Sequence, residues 1–217
     1  MRELVVLTFM TLDGVMQAPG GPEEDPSGGF EAGGWSVPHF DEALEQAMGE
    51  QMDKPFDLLL GRRTYEIFAA HWAYDQGPTA DALNSATKHV ASRTLGELEW
   101  QNSRLIEGDV AEGVAELKRQ DGPELQVHGS SNLLQTLLAA DLVDELKLKT
   151  YPITVGPGKR LFGDGAIPAR FKLVDGSISP SGVVIGTYRR AGDIEIGSFA
   201  FDEPTDAEKE RRAALGD

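Results

Sequence analysis

The sequence contains no cysteine, which excludes disulfides and every thiolate metal site. It also points to a reducing compartment, read here as the cytoplasm, and no metal site is expected. Long hydrophobic runs are missing too: no stretch approaches the ~20 apolar residues that a membrane-spanning helix needs. Residues Met1–Thr8 turn polar too early for a secretory signal and read as a first strand. Positive charge is the third scarcity. Against 36 Asp and Glu stand 20 Lys and Arg, a formal net charge of -16 with a pI near 4.6. A field of that sign repels phosphate backbones, so neither nucleic acid nor membrane is the expected partner. An anionic cofactor would need local basic groups set against the global charge.

What is present fits one domain over residues 1–200 and a charged tail over 201–217. Leu4–Thr8, Phe56–Leu60 and Leu125–His128 are short apolar runs. Each is followed by a glycine-bearing loop, and the last two lead into helical spacing, the pattern of βα units on a largely parallel sheet. His89–Ala91 and Leu105–Ile106 add short strands. Val110–Gln120 spaces Val110, Val114 and Leu117 as a helix, with Asp109 and Glu112 placed as a capping box. Glu145–Tyr151 alternates Leu146, Leu148 and Thr150 with lysines and predicts a half-exposed strand. Phe171–Ser177 and Val183–Arg190 predict a terminal antiparallel hairpin. Residues 19–34, rich in Gly, Pro and acid, form a long loop of the functional kind. Residues 204–217 predict a loosely packed helix or a frayed end.

Three strand ends carry candidate anion chemistry. At Gly61-Arg62-Arg63-Thr64 a glycine permits close approach, and two arginines, a hydroxyl and a helix N-terminus follow. A solvated basic pair is the plainer alternative, but arginines there oppose the helix dipole. At His128-Gly129-Ser130-Ser131-Asn132 small residues open a helix and offer N–H and hydroxyl groups to a phosphate; an ordinary turn with a serine cap fits as well. Val90-Ala91-Ser92-Arg93-Thr94 runs a strand into a Ser-Arg pair, which alone reads as a surface loop. Ligands gather at such strand ends in open α/β sheets.

Leu59-Leu60-Gly61-Arg62-Arg63-Thr64-Tyr65-Glu66 resembles the Gly-Arg-Lys/Arg-Thr-Trp/Tyr-Glu segment of the dihydrofolate reductase superfamily, and His89–Leu95 resembles its Ser-Arg-Thr strand. Three further segments are similar to the reductase domain of bacterial riboflavin biosynthesis and its stand-alone relatives. These are Thr11-Leu12-Asp13-Gly14-Val15, the span Val127–Leu148 with Ala140–Leu146 inside it, and Pro152–Phe162. The resemblance covers about residues 4–190. It implies a three-layer αβα fold with a mixed, mainly parallel sheet, and NADPH as cofactor. Arg62, Arg63, Ser92 and Arg93 would hold the 2′-phosphate; Thr64, Gly129, Ser130 and Ser131, with the helix they open at Asn132, would hold the pyrophosphate. Gly14, Val15 and Met16 would lie by the nicotinamide. Where the family has a second glycine, Ser130 stands. A homodimer through the later strands is also implied.

The implied reaction is hydride transfer to a small heterocycle of the pteridine or ribosylaminopyrimidine kind. The proton would come from water or from one of two acid candidates, Asp13 and Asp41. Aligned on Trp35 and Pro38, the family's acid position falls on Phe40 and Asp41 comes one residue late, a turn of about 100° on a helix. Asp13 can equally be a turn-former before Gly14. His39 and His71 read as structural, Trp35, Tyr65 and Trp72 as core, and Gly163-Asp164-Gly165 as a turn. The His-x-Glu and Pro-Cys-x-x-Cys signature of the deaminase half is missing. The rival reading is an NADP(H)-binding protein without turnover.

Overall fold

Strand-forming β-branched and leucine-rich runs alternate with helices. In a computed structural model describing residues 1–163 and 167–215, the order is as follows. Strand β1 (Leu4–Thr11) is followed by α1 (Glu42–Glu50), β2 (Phe56–Gly61), α2 (Arg62–Trp72), α3 (Pro78–Ser85), β3 (Lys88–Ala91) and β4 (Ser103–Leu105). Then come α4 (Val110–Arg119), β5 (Glu124–His128), α5 (Ser131–Ala139), β6 (Glu145–Tyr151), β7 (Phe171–Ile178), β8 (Val184–Arg190) and α6 (Asp206–Ala213). The turn expected at Gly163-Asp164-Gly165 falls partly outside the described residues, as do the last two residues of the tail.

The sheet runs β4-β3-β2-β5-β1-β6-β8-β7. The first six of these strands are mutually parallel, and β8 and β7 complete the sheet antiparallel. All six parallel strands therefore end on one side, and β1 lies where the chain switches direction along the sheet. Side-chain alternation divides the core. Leu4, Val6, Leu59, Leu125, Val127, Leu146 and Leu148 pack with Leu133, Leu134 and Leu137 of α5 on one face. Leu58, Leu60 and Val90 pack with Tyr65 and Leu83 on the other, where Tyr151 also joins Trp35, Leu44 and Val15. The expected α/β layering is what the chain adopts.

Two local expectations need revision, and one loop gains detail. β1 runs three residues past Thr8, because its C-terminal half is paired by β6 as far as Thr11↔Tyr151. β6 is not half-exposed: Glu145 and Lys149 are buried, Glu145 against Arg189 of β8 and Lys149 against Gln51 just past α1. The 19–34 loop is firmly held. Gln17 donates to the carbonyls of Asp25 and Ser27, both at 2.9 Å, Trp35 Nε1 donates to Gln17 O at 2.8 Å, and Lys159 Nζ reaches Asp25 at 2.5 Å. Helix α6 in the tail buries nothing. No described helix is long and apolar enough to cross a membrane.

Candidate functional site

A cleft of about 880 Å³ opens at the strand ends, lined on one side by the β2–α2 and β5–α5 loops and on the other by residues 16–25. That volume suits a small-molecule or cofactor site. The two loops are fastened together. Ser130 Oγ donates to Thr64 Oγ1 at 2.7 Å and accepts from Gly61 N at 2.8 Å. Glycine at 61 eases this approach: a Cβ there would stand 3.1 Å from Ser130 Cβ and Oγ, so Ser130 would have to shift. Ser130 itself is left-handed, with φ 70°, which explains why glycine fits that position in the family.

Helix ends separate structural from available donors. α1, α4 and α6 are capped by the side chains of Asp41, Asp109 and Thr205. α2, α3 and α5 have no side-chain cap; the N-termini of α2 and α5 lie beside the hydroxyls of Thr64 and Ser131, where first-turn N–H groups can meet an anion.

The predicted residues divide accordingly. Met16, Arg63, Thr64, Gly129, Ser130 and Ser131 line the cleft. Gly14 and Val15 are not part of its lining: Val15 is fully buried and bridges to Arg160. Asn132 is not part of it either. Arg62 donates to Glu66 Oε1 and Thr94 Oγ1, both at 2.7 Å. That joins α2 to the loop after β3, where Ser92 Oγ accepts from Thr94 N and Leu95 N and Arg93 is exposed. These loops adjoin because Gly61 and Ala91 are register partners.

Both acid candidates are engaged in loop construction, away from the cleft lining. Asp13 accepts from Thr11 Oγ1 at 2.5 Å and from the backbone N–H groups of Val155 and Gly156 at 3.3 and 2.8 Å. The Thr11 hydroxyl foremost, then those amides, hold its carboxyl below the ordinary range against a raising effect of desolvation. Asp41 caps α1 through Leu44 N and also accepts from Ser181 N, both at 3.0 Å. Desolvation, the largest single influence, raises its pKa but is outweighed by these hydrogen bonds, so the net shift is downward. Neither side chain borders the cleft.

Besides Arg63 and His71, the cleft holds titratable groups that the sequence did not single out. Glu24 accepts from Gly20 N at 2.6 Å, and desolvation raises its pKa. His128 is driven down to about 3 by desolvation and then by Lys149. Lys149 is itself drawn down to about 8 by burial and then by Lys147. Only the end of a βα unit marked His128, and nothing marked Glu24 or Lys149.

This arrangement of sheet and loops defines the dihydrofolate reductase-like fold. A dihydrofolate reductase from Enterococcus faecalis, complexed with NADP(H) and RAB-propyl, superposes with a TM-score of 0.54 at 16% identity, covering 87% of this chain and 96% of that one. A riboflavin biosynthesis-like protein from Shewanella sp. PV-4 superposes with a TM-score of 0.60 at 20% identity over 87% of this chain and 99% of that one. The chain belongs to the RibD C-terminal domain family, which matches residues 2–185. It is also similar to the uncharacterized protein YyaP of Bacillus subtilis (strain 168), 26% identical over 196 residues, 88% of this chain and 96% of that one.

Proposed function

We propose that this protein is an NADPH-dependent reductase acting on a small heterocycle of the pteridine or ribosylaminopyrimidine type. The observation that carries the reading is the pair of uncapped helix N-termini, α2 and α5, clasped by Ser130–Thr64 beside one cleft. Family membership agrees with it.

The residues fit a dinucleotide. Thr64, Gly129, Ser130 and Ser131 would take the pyrophosphate, and Arg63 with Arg62, Ser92 and Arg93 the 2′-phosphate. Met16 would border the nicotinamide. When bound, NADPH supplies the hydride; the protein's contribution is positioning and exclusion of water. A homodimer through the sheet's β7 edge belongs to the same proposal. That strand is exposed along nearly its whole length, and sedimentation velocity reads the outcome.

Thermal shift with NADPH and NADH, followed by NADPH oxidation across a panel of dihydropteridines and aminopyrimidines, tests the reading. Stabilisation by NADPH with turnover of one panel member is expected, and no stabilisation by either nucleotide would sink it. A second reading, binding without turnover, is favoured by the absence of Asp13 and Asp41 from the cleft lining. Tight NADPH binding with no oxidation across the panel would select it.

A further inference from the structure

The buried lysines of this protein, and the half-buried Lys159, differ in what answers their charge. Lys118 is paired with Asp144. Lys159, at the cleft, is paired with Asp25. Lys88 lies 4.2 Å over the Trp100 ring and donates to the Asn84 carbonyl. Lys149 has less than any of them. It is 1% exposed and contributes to the cleft wall. Its Nζ donates to a neutral acceptor, Gln51 Oε1, at 3.0 Å, and lies 5.7 Å from the Phe9 ring centre.

No carboxylate among the described residues pairs with it, and its electrostatic neighbour is another cation, Lys147. An ammonium carries three donors, and burial of an unpaired charge is costly. An acceptor entering the cleft would relieve that cost.

The position separates this cation from the cofactor loops. Those loops rise from β2 and β5, whereas Lys149 stands on β6, two strands beyond β5, about 10 Å along the sheet. It is level with Phe9, past the Leu7↔His128 pair that closes β5. Of the acids that line the cleft, Asp25 is engaged by Lys159 and Glu24 by the Gly20 and Gly21 amides, while Glu23 is exposed to solvent and forms no ion pair with Lys149.

We propose that Lys149 is the substrate-anchoring cation of the cleft, and that the acceptor is a planar molecule bearing an anionic oxygen which this ammonium receives. The inference rests on the reductase reading and adds a substrate class to it. Lys149 remains largely charged at neutral pH, since burial lowers it only to about 8.

The test is calorimetric titration at pH 7 of protein saturated with NADP+, using two matched pairs: orotate against uracil, and pterin-6-carboxylate against pterin. Within at least one pair the acid should bind 10-fold or more tightly than its parent. Lys149→Gln and Lys149→Met should each erase that preference while leaving NADP+ affinity within twofold. Two variants are used because the amide can keep the Gln51 contact, whereas the thioether leaves no buried donor unsatisfied. Equal binding of acid and parent, no binding of either acid, or a preference that survives in a folded variant would overturn the proposal. Failure of NADP+ to bind would instead overturn the reductase reading.

Discussion

The hydroxyl of Ser130 donates to the hydroxyl of Thr64 across 2.7 Å, and through it the loops after β2 and β5 become one rigid surface. Ser130 also accepts from Gly61 N, so a single side chain satisfies the amide at the point where β2 meets α2. The serine does this from a left-handed backbone, at a conformational cost of about 1 kcal/mol relative to glycine.

Ser130→Ala keeps that backbone cost and leaves Gly61 N–H without its partner, so it should lower stability by about 1–3 kcal/mol. Ser130→Gly loses the same hydrogen bonds but relieves the backbone. Thermal melts should therefore rank wild type, then glycine, then alanine. An alanine variant as stable as wild type would show that the clasp contributes nothing.

Arg62, the first residue of α2, and Arg93, on the loop after β3, both lie outside the cleft lining, Arg62 reaching Thr94 at 2.7 Å. If they contact the 2′-phosphate, the Arg62→Ala, Arg93→Ala double variant should weaken NADPH by roughly 10-fold or more, since each charge-assisted hydrogen bond is worth about 1.5–3 kcal/mol. NADH affinity should be little changed. Equal losses for the two nucleotides, measured by fluorescence titration, would remove the assignment.

His128 makes stability depend on pH. Its folded pKa, about 3, lies below the unfolded value of about 6.5, so the unfolded chain takes up the proton first. Its effect is nil above about pH 6.5. As pH falls from there toward 3, it should cost about 1.4 kcal/mol per unit. Near pH 5 the wild type should have lost ~2 kcal/mol more than His128→Asn relative to their difference at pH 7.5. Urea titrations at the two pH values measure this, and parallel losses would mean that His128 titrates normally.

The fold was legible because its signals are local. Apolar runs ending at Gly61 and Gly129, and the Asp109–Glu112 capping pattern, each act within a few residues of themselves. Helix α3 was missed: Pro78–Ser85 has a short apolar pattern, and Ala80 and Leu83 are buried only because β2 and α2 bring a core to them. The strand-end donors that the proposed reading gives to the cofactor were legible for the same reason as the strands, since they are backbone groups at strand ends. The cation proposed for the substrate was not. Lys149 alternates with leucines like any surface lysine, and its burial arises from Gln51, 98 positions away. Asp13 and Asp41 are acids in suggestive motifs, but their partners, Gly156 and Ser181, lie 143 and 140 residues on.

Asp13 provides the clearest test of that distinction. Its carboxylate connects the 11–16 loop to Val155 and Gly156, so Asp13→Asn should behave as a stability variant. A loss of about 1 kcal/mol is expected, or roughly 2–4 °C in Tm for a chain of this size. Because the folded pKa is lowered, the carboxylate's contribution is present above the unfolded value near 3.9 and disappears as pH falls through the folded one. The gap between wild type and variant should therefore close in acid. Should turnover be found, the shape of the pH–rate profile should be the same for both proteins. A variant with unchanged Tm and NADPH affinity but a lost catalytic limb in that profile would instead restore Asp13 as the proton donor.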